Sequence, residues 1–207
     1  MAMHLNLRSY PTIGTSRDTI EKAVQNELLP TLQSQSGFEA YFAFWDQAGA
    51  GVSVSLFADA EAAHLSTDAV RRWLAGHLDF FPARGEEFSG ECFMHAEAPR
   101  RAKDAADPTP HLLIRVLSDV PGTQDTRAFV EQRTLPLIAR SPGFQAVWMA
   151  RSDREAGGAL VATLFDGPSE AMACHGSAVR LLHEGLPAVS VTKVMHGRAV
   201  IAYRGAA

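Results

Sequence analysis

Residues 3–10 alternate apolar and polar, with Leu5 and Leu7 on one side and His4, Asn6 and Arg8 on the other, the period of a β-strand. The run 111–117 has the same pattern, Leu112, Ile114 and Val116 alternating with His111, Leu113 and Arg115. Ile20, Val24 and Leu28 then recur every fourth position, one apolar stripe of a helix. That helix is predicted to open at Gly14-Thr15-Ser16-Arg17-Asp18, where Thr15 and Asp18 have capping-box spacing, and to end at Gly37. Strands are predicted over 38–46 and 52–57 around a tight return at Gly49-Ala50-Gly51. A second helix follows over 60–78, with a break at Ser66-Thr67 where a hydroxyl can re-cap it, and a strand over 87–95. The same succession follows residue 111: Gly143 closes a helix, strands are predicted at 144–151 and 159–165 around Gly157-Gly158, then a helix at 168–184 and a strand at 190–203.

The two successions are related residue by residue. His4-Leu5-Asn6-Leu7-Arg8 returns as His111-Leu112-Leu113-Ile114-Arg115, Leu29-Pro30 as Leu135-Pro136, Gly37-Phe38 as Gly143-Phe144, and Leu56-Phe57 as Leu164-Phe165, all in order. This predicts a duplicated domain: a first repeat over 1–96, a linker over 97–110 rich in Ala, Pro and charge, and a second repeat over 111–207. A strand-helix-strand-strand-helix-strand unit forms an antiparallel sheet with both helices on one face, the ferredoxin-like α+β arrangement. The strand 38–46 is apolar on both sides, Phe42 and Phe44 opposing Tyr41 and Trp45, so the face without helices also needs cover. The expected solution is that the sheets of the two tandem repeats pack into one intramolecular α+β barrel with helices outside, enclosing a cavity. Pairing of each half with a second chain, a homodimer, is the alternative.

Composition then narrows the partners. A chain of 207 residues that is 46% hydrophobic and 20% charged is globular, and its formal net charge of −4 supplies no basic surface for nucleic acid. No stretch approaches the roughly 20 apolar residues of a membrane span, and the start lacks a secretory pattern, so a cytoplasmic protein is expected. Cys92 and Cys174 lie far apart, without CxxC spacing, and no HExxH, GxSxG or phosphate-binding loop is present. No metal is expected.

Several segments together resemble the antibiotic biosynthesis monooxygenase family of dimeric α+β barrels, here as two fused units. They are Gly14-Thr15 to Asp18, Leu29-Pro30 to Gly37-Phe38, and Leu56-Phe57-Ala58-Asp59-Ala60-Glu61-Ala62, with Gly122-Thr123, Leu135-Pro136, Pro142-Gly143-Phe144 and Leu164 to Ala171 in the second half. Relatives often carry Trp at the positions of Phe57 and Phe165. The resemblance implies a cofactor-independent monooxygenase of a small aromatic or polycyclic phenol or quinol. It also leaves open haem binding or degradation, and a non-catalytic protein binding an apolar metabolite.

If Leu5 and Leu7 face the helices, His4, Asn6 and Arg8 face the space between the sheets, with His111, Leu113 and Arg115 opposite. A few polar groups in an aromatic cavity would orient an apolar ligand. Oxygenation without a cofactor needs a base and a dry pocket, because the substrate itself donates the electrons. His4 or His111 could act as the base, and Asn6, Arg8 or Arg115 could hold the developing oxyanion. Tyr41, Phe42, Trp45 and Trp148 would form the walls. Trp73 and His77, four apart on one helix face, are further candidates. In the resembling haem-degrading enzymes, a first-strand asparagine works with a histidine and a tryptophan of this helix.

Overall fold

Among the described residues, fourteen regular elements follow the predicted succession closely. They are β1 (His4–Tyr10), α1 (Arg17–Ala23), α2 (Leu29–Gln33), β2 (Phe38–Trp45), β3 (Gly51–Phe57), α3 (Ala60–Gly76) and β4 (Glu86–Glu97). The second repeat supplies β5 (His111–Ser118), α4 (Gln124–Phe129), α5 (Leu135–Ala139), β6 (Phe144–Ser152), β7 (Ala159–Phe165), α6 (Pro168–Gly185) and β8 (Ser190–Arg204). The computed structural model of the chain describes residues 2–83, 85–99 and 109–205. The strand order β1-β3-β2-β8-β5-β7-β6-β4 is a closed antiparallel barrel, so the fold class is the α+β barrel of two fused ferredoxin-like repeats.

The chain divides into two units that do not coincide with the repeats. One comprises the chain up to Glu91 together with Ala199 onward; the other runs from Cys92 to Arg198. The last strand of each repeat is therefore split. β8 pairs with β5 up to Arg198 and with β2 from Ala199, and beyond it the Gly205 amide donates to the Glu39 carbonyl at 2.7 Å. β4 pairs with β1 through Glu91, and past its end the Ala98 amide donates to the Gln145 carbonyl at 2.9 Å. β4 thus extends through Glu97, the first residue of the expected linker, while 100–108 of that linker lie outside the described residues.

In the first unit, α1 is capped by Ser16, one position later than expected, its hydroxyl accepting from the Thr19 amide at 3.2 Å. The predicted single helix contains a wider π turn at Val24–Leu28, closed by the Leu29 amide on the Val24 carbonyl. Pro30 follows: it has no amide hydrogen, and its ring would collide with the carbonyl four residues back in a regular helix, so the wider turn relieves it. The second unit has the same device at Val130–Thr134 before Pro136. The expected break in α3 is absent. Thr67 donates its hydroxyl to the Ala63 carbonyl at 3.0 Å, a bond made within an intact helix. Gly37 (φ 75°) and Gly143 (φ 68°) end the first helices, and a Cβ on Gly37 would lie 2.8 Å from that of Ala62.

Ile20, Val24, Leu28 and Leu32 pack with Val70, Tyr41 and Ile201 to form the helix-to-sheet core of the first unit. Its counterpart in the second joins Ile138, Ala171 and Cys174 to Leu113, Val147, Met149, Val161 and Phe165. The other face of the first unit's sheet, with Leu5, Leu7, Phe42, Phe44, Val52 and Val54, is buried too.

Candidate functional site

The polar side of β1 faces the helices, which corrects the expected orientation. The Arg8 guanidinium reaches Thr67 Oγ1 on α3 at 3.5 Å and lies 3.6 Å from Glu87 Oε1 on β4. At the same register of the second repeat, Arg115 Nε donates to His175 Nδ1 on α6 at 3.0 Å. Alternation separates two sets of side chains but cannot say which turns inward when both faces of a sheet are buried. The hydroxyl on α3 and the imidazole on α6 are the partners that let each arginine face its helix.

Between this face and the helices of the first unit lies a chamber of about 60 Å³. Arg8, Tyr10, Tyr41, Ser53 and Ser55 bring polar groups to it from three strands, and Glu21 brings a carboxylate from α1. Ile20, Val24, Leu28, Val70, Trp73 and Leu74 supply apolar walls. Tyr41 is buried and hydrogen-bonded to Ser53; burial pushes its phenol up to about 12 against the opposing influence of Ser53 and Arg8. It is therefore a neutral hydrogen-bond donor at physiological pH, not a base. Tyr10 is also raised, by burial first, with the Arg8 charge opposing.

Indole hydrogen bonds hold two sides of the chamber. Glu21 accepts from Trp45 Nε1 at 2.6 Å, and the Arg17 guanidinium sits 5.0 Å over the Trp45 ring. Glu27, on the π turn, accepts from Trp73 Nε1 at 3.1 Å, and the same oxygen lies 3.1 Å from His77 Nε2. His77 stacks on Trp73 at 4.4 Å, and its Nδ1 lies 2.9 Å from the Trp73 carbonyl.

Strand register identifies what occupies the strand positions of the chamber in the second repeat. Tyr10 corresponds to Leu117, Tyr41 to Val147, Ala43 to Met149 and Ser53 to Val161, while Arg8 corresponds to Arg115 and Ser55 to Thr163. A polar, partly empty space in one unit is thus lined mainly by apolar side chains in the other, where Arg115 and Thr163 remain at the positions of Arg8 and Ser55. Duplication produced two copies of the frame, and only the first has Tyr41 and Ser53 at the positions that Val147 and Val161 take in the second.

Arg8, Tyr41, Trp45 and Trp73 line the chamber, whereas Phe42 belongs to the opposite face of β2, and Trp148 occupies its register in β6. His4 is buried on β1 with its Nε2 2.9 Å from Ser89 Oγ, outside the lining, so it is not placed to act as a base there. Asn6 shares the polar side of β1, its Oδ1 buried without a partner, and is likewise outside the lining. His111 and Arg115 lie in the second unit, where His111 Nε2 is 3.2 Å from His196 Nδ1. Sequence reasoning missed Tyr10, Ser53, Ser55 and Glu21. The signal for the serines was legible, since they alternate with Val52 and Val54 along β3.

No protein-family model matches the chain, and no curated protein does either. Solved structures do match. One, described as a "putative monooxygenase" from Fusobacterium nucleatum subsp. nucleatum ATCC 25586, superposes with a TM-score of 0.75 at 11% identity, covering 98% of this chain and 94% of that one. An anthrone oxidase-like protein gives 0.63 at 9%, covering 99% and 94%. A haem-binding protein from Thermus thermophilus gives 0.58 at 8%, covering 97% and 92%. The haem precedent can be tested on the residues themselves. Both ring nitrogens of His77 are engaged, by Glu27 and by the Trp73 carbonyl, and a chamber of about 60 Å³ is far too small for a porphyrin. His77 and this chamber do not fit a haem. At such low identity these likenesses establish one thing: over nearly its whole length the chain has the fold these proteins share.

Proposed function

We propose that the first unit binds a small single-ring phenol or quinol in the chamber between β1–β3 and the helices and oxygenates it without a cofactor. The observation carrying this reading is the contrast between repeats. Arg8, Tyr41 and Ser53 converge on free space in the first, and Val147 and Val161 close that space in the second. The Arg8 charge favours the ionised form of a bound phenol, and the neutral Tyr41 hydroxyl can donate to its oxygen. Among the described residues, Glu21 is the one carboxylate in the lining and the group available to accept the phenol's proton. In the overall reaction a phenol and dioxygen give a quinone and water. The substrate supplies four electrons, one oxygen atom enters the ring, and the other leaves as water. The small volume supports a single ring rather than a polycyclic substrate, and the reading requires Trp73 or Phe81 to swing aside to admit it.

The test is oxygen uptake with a panel of phenols and hydroquinones in metal-free buffer, with quenching of Trp45 and Trp73 fluorescence as the binding signal. Uptake that disappears in Arg8→Met and falls in Tyr41→Phe supports the reading. Saturable quenching with no uptake would make the chamber a binding site only, and neither signal from any compound would remove the proposal.

A further inference from the structure

Arg115 is a buried cation of the second unit. It is only 4% exposed on β5, and its Nε is spent on His175. Both terminal nitrogens, Nη1 and Nη2, are buried, and the Cys174 thiol, a weak acceptor, is the group that stands against them in place of a carboxylate. A guanidinium carries five donors, and a buried one left mostly unpaired is costly to the fold. The first repeat shows what the frame was built to hold at this position. Arg8 lies opposite Glu87 in the β1–β4 register and pairs with it, whereas Arg115 lies opposite Val194 in the β5–β8 register. The second repeat has kept the cation and lost the strand carboxylate.

The neighbouring groups are donors or neutral. His175 accepts from Arg115 through Nδ1, so in its neutral form the proton sits on Nε2. Burial, then the Arg115 charge, then His196 hold His175 below the usual imidazole range; burial and His196 do the same to His111. The Cys174 thiol lies beside the guanidinium. We propose that Arg115 is the centre of a small-anion site in the second unit, taking a carboxylate or inorganic oxyanion on Nη1 and Nη2. Two parallel N–H groups match two oxygens of such an anion, and the pairing replaces the contact that Glu87 makes with Arg8. This site is separate from the chamber of the first unit and does not depend on what that chamber binds.

The full chain is titrated with sodium formate, sodium nitrate and sodium phosphate at constant ionic strength, and thermal unfolding is followed. A saturable rise in melting temperature is expected; with formate it identifies the carboxylate source, with nitrate or phosphate the inorganic one. The rise should vanish in Arg115→Met. It should also vanish in Val194→Glu, which returns a carboxylate to the register position of Glu87 and leaves the arginine in place. Val194 is already partly exposed, so that variant keeps the question open even where Arg115→Met does not fold. No rise with any of the three anions overturns the site, as does a rise that survives Val194→Glu. A thiolate absorbance from Cys174 at neutral pH that disappears with Arg115 would also overturn it, because the counter-ion would then be the protein's own.

Discussion

Ala43→Met places in the first repeat the residue that the second carries at the same register, Met149, which is fully buried in its unit's core. The side chain at 43 lines the chamber, so the added thioether enters a void of about 60 Å³. At roughly 24 cal/mol per Å³ of cavity, filling that void stabilises by up to about 1.4 kcal/mol. For a chain of this size the corresponding rise in Tm is about 3–6 °C. Loss of hydrogen bonding for water near Arg8 and Ser53 subtracts from this, so the figure is an upper bound. The same substitution takes the volume that a ring would occupy once Trp73 or Phe81 had moved, and phenol-dependent quenching of Trp45 and Trp73 should disappear. Thermal unfolding by circular dichroism and a fluorescence titration on the same sample read both effects. A variant that is destabilised while still binding phenol would refute the reasoning, since position 43 could not then border a ligand cavity.

Other outcomes follow from the same geometry. Tyr41→Phe removes the phenol that bonds Ser53 and should cost about 1 kcal/mol in urea unfolding; phenol affinity in the wild type should show no step from this group below pH about 12. Gly37→Ala forces a side chain into a positive-φ position and against the Ala62 methyl, and should lower stability by about 1–3 kcal/mol; an unchanged urea midpoint would contradict the packing. His111 and His175 have lowered native pKa values, so the unfolded chain binds more protons below its own value of about 6.5. Their contribution is complete above that pH and is lost as pH falls through the depressed native values. The difference in urea midpoint between about pH 7.5 and about pH 5.5 should therefore shrink in His175→Gln.

Much of the fold was legible because it rests on local signals. Period two marked the strands to within a residue or two, the fourfold spacing of Ile20, Val24 and Leu28 marked a helix face, and Gly37 and Gly143 marked the turns. The candidate site was less legible. Arg8, Tyr41, Trp45 and Trp73 stood out as residue types, but their expected location depended on the facing of β1, which was reversed. Phe42 and Tyr41 are adjacent aromatics in one strand, and nothing in their order says which one meets helices. The π turns were missed because their cause, Pro30 or Pro136 within a helix that continues, also reads as an ordinary helix boundary.

By itself, then, the order of residues determined the duplication, the succession of elements and the two-sided burial of the sheet, since each depends on periodicity or self-similarity along the chain. It also contained the difference between the repeats, Tyr41 against Val147 and Ser53 against Val161. Only the tertiary structure decided that this difference opens a chamber, because free volume depends on side chains from seven separate segments meeting at once. Likewise, an arginine in a strand is unremarkable until the register shows Glu87 across from one copy and Val194 across from the other. A charge becomes informative only when its surroundings fail to answer it, and those surroundings are assembled from residues far apart in the chain.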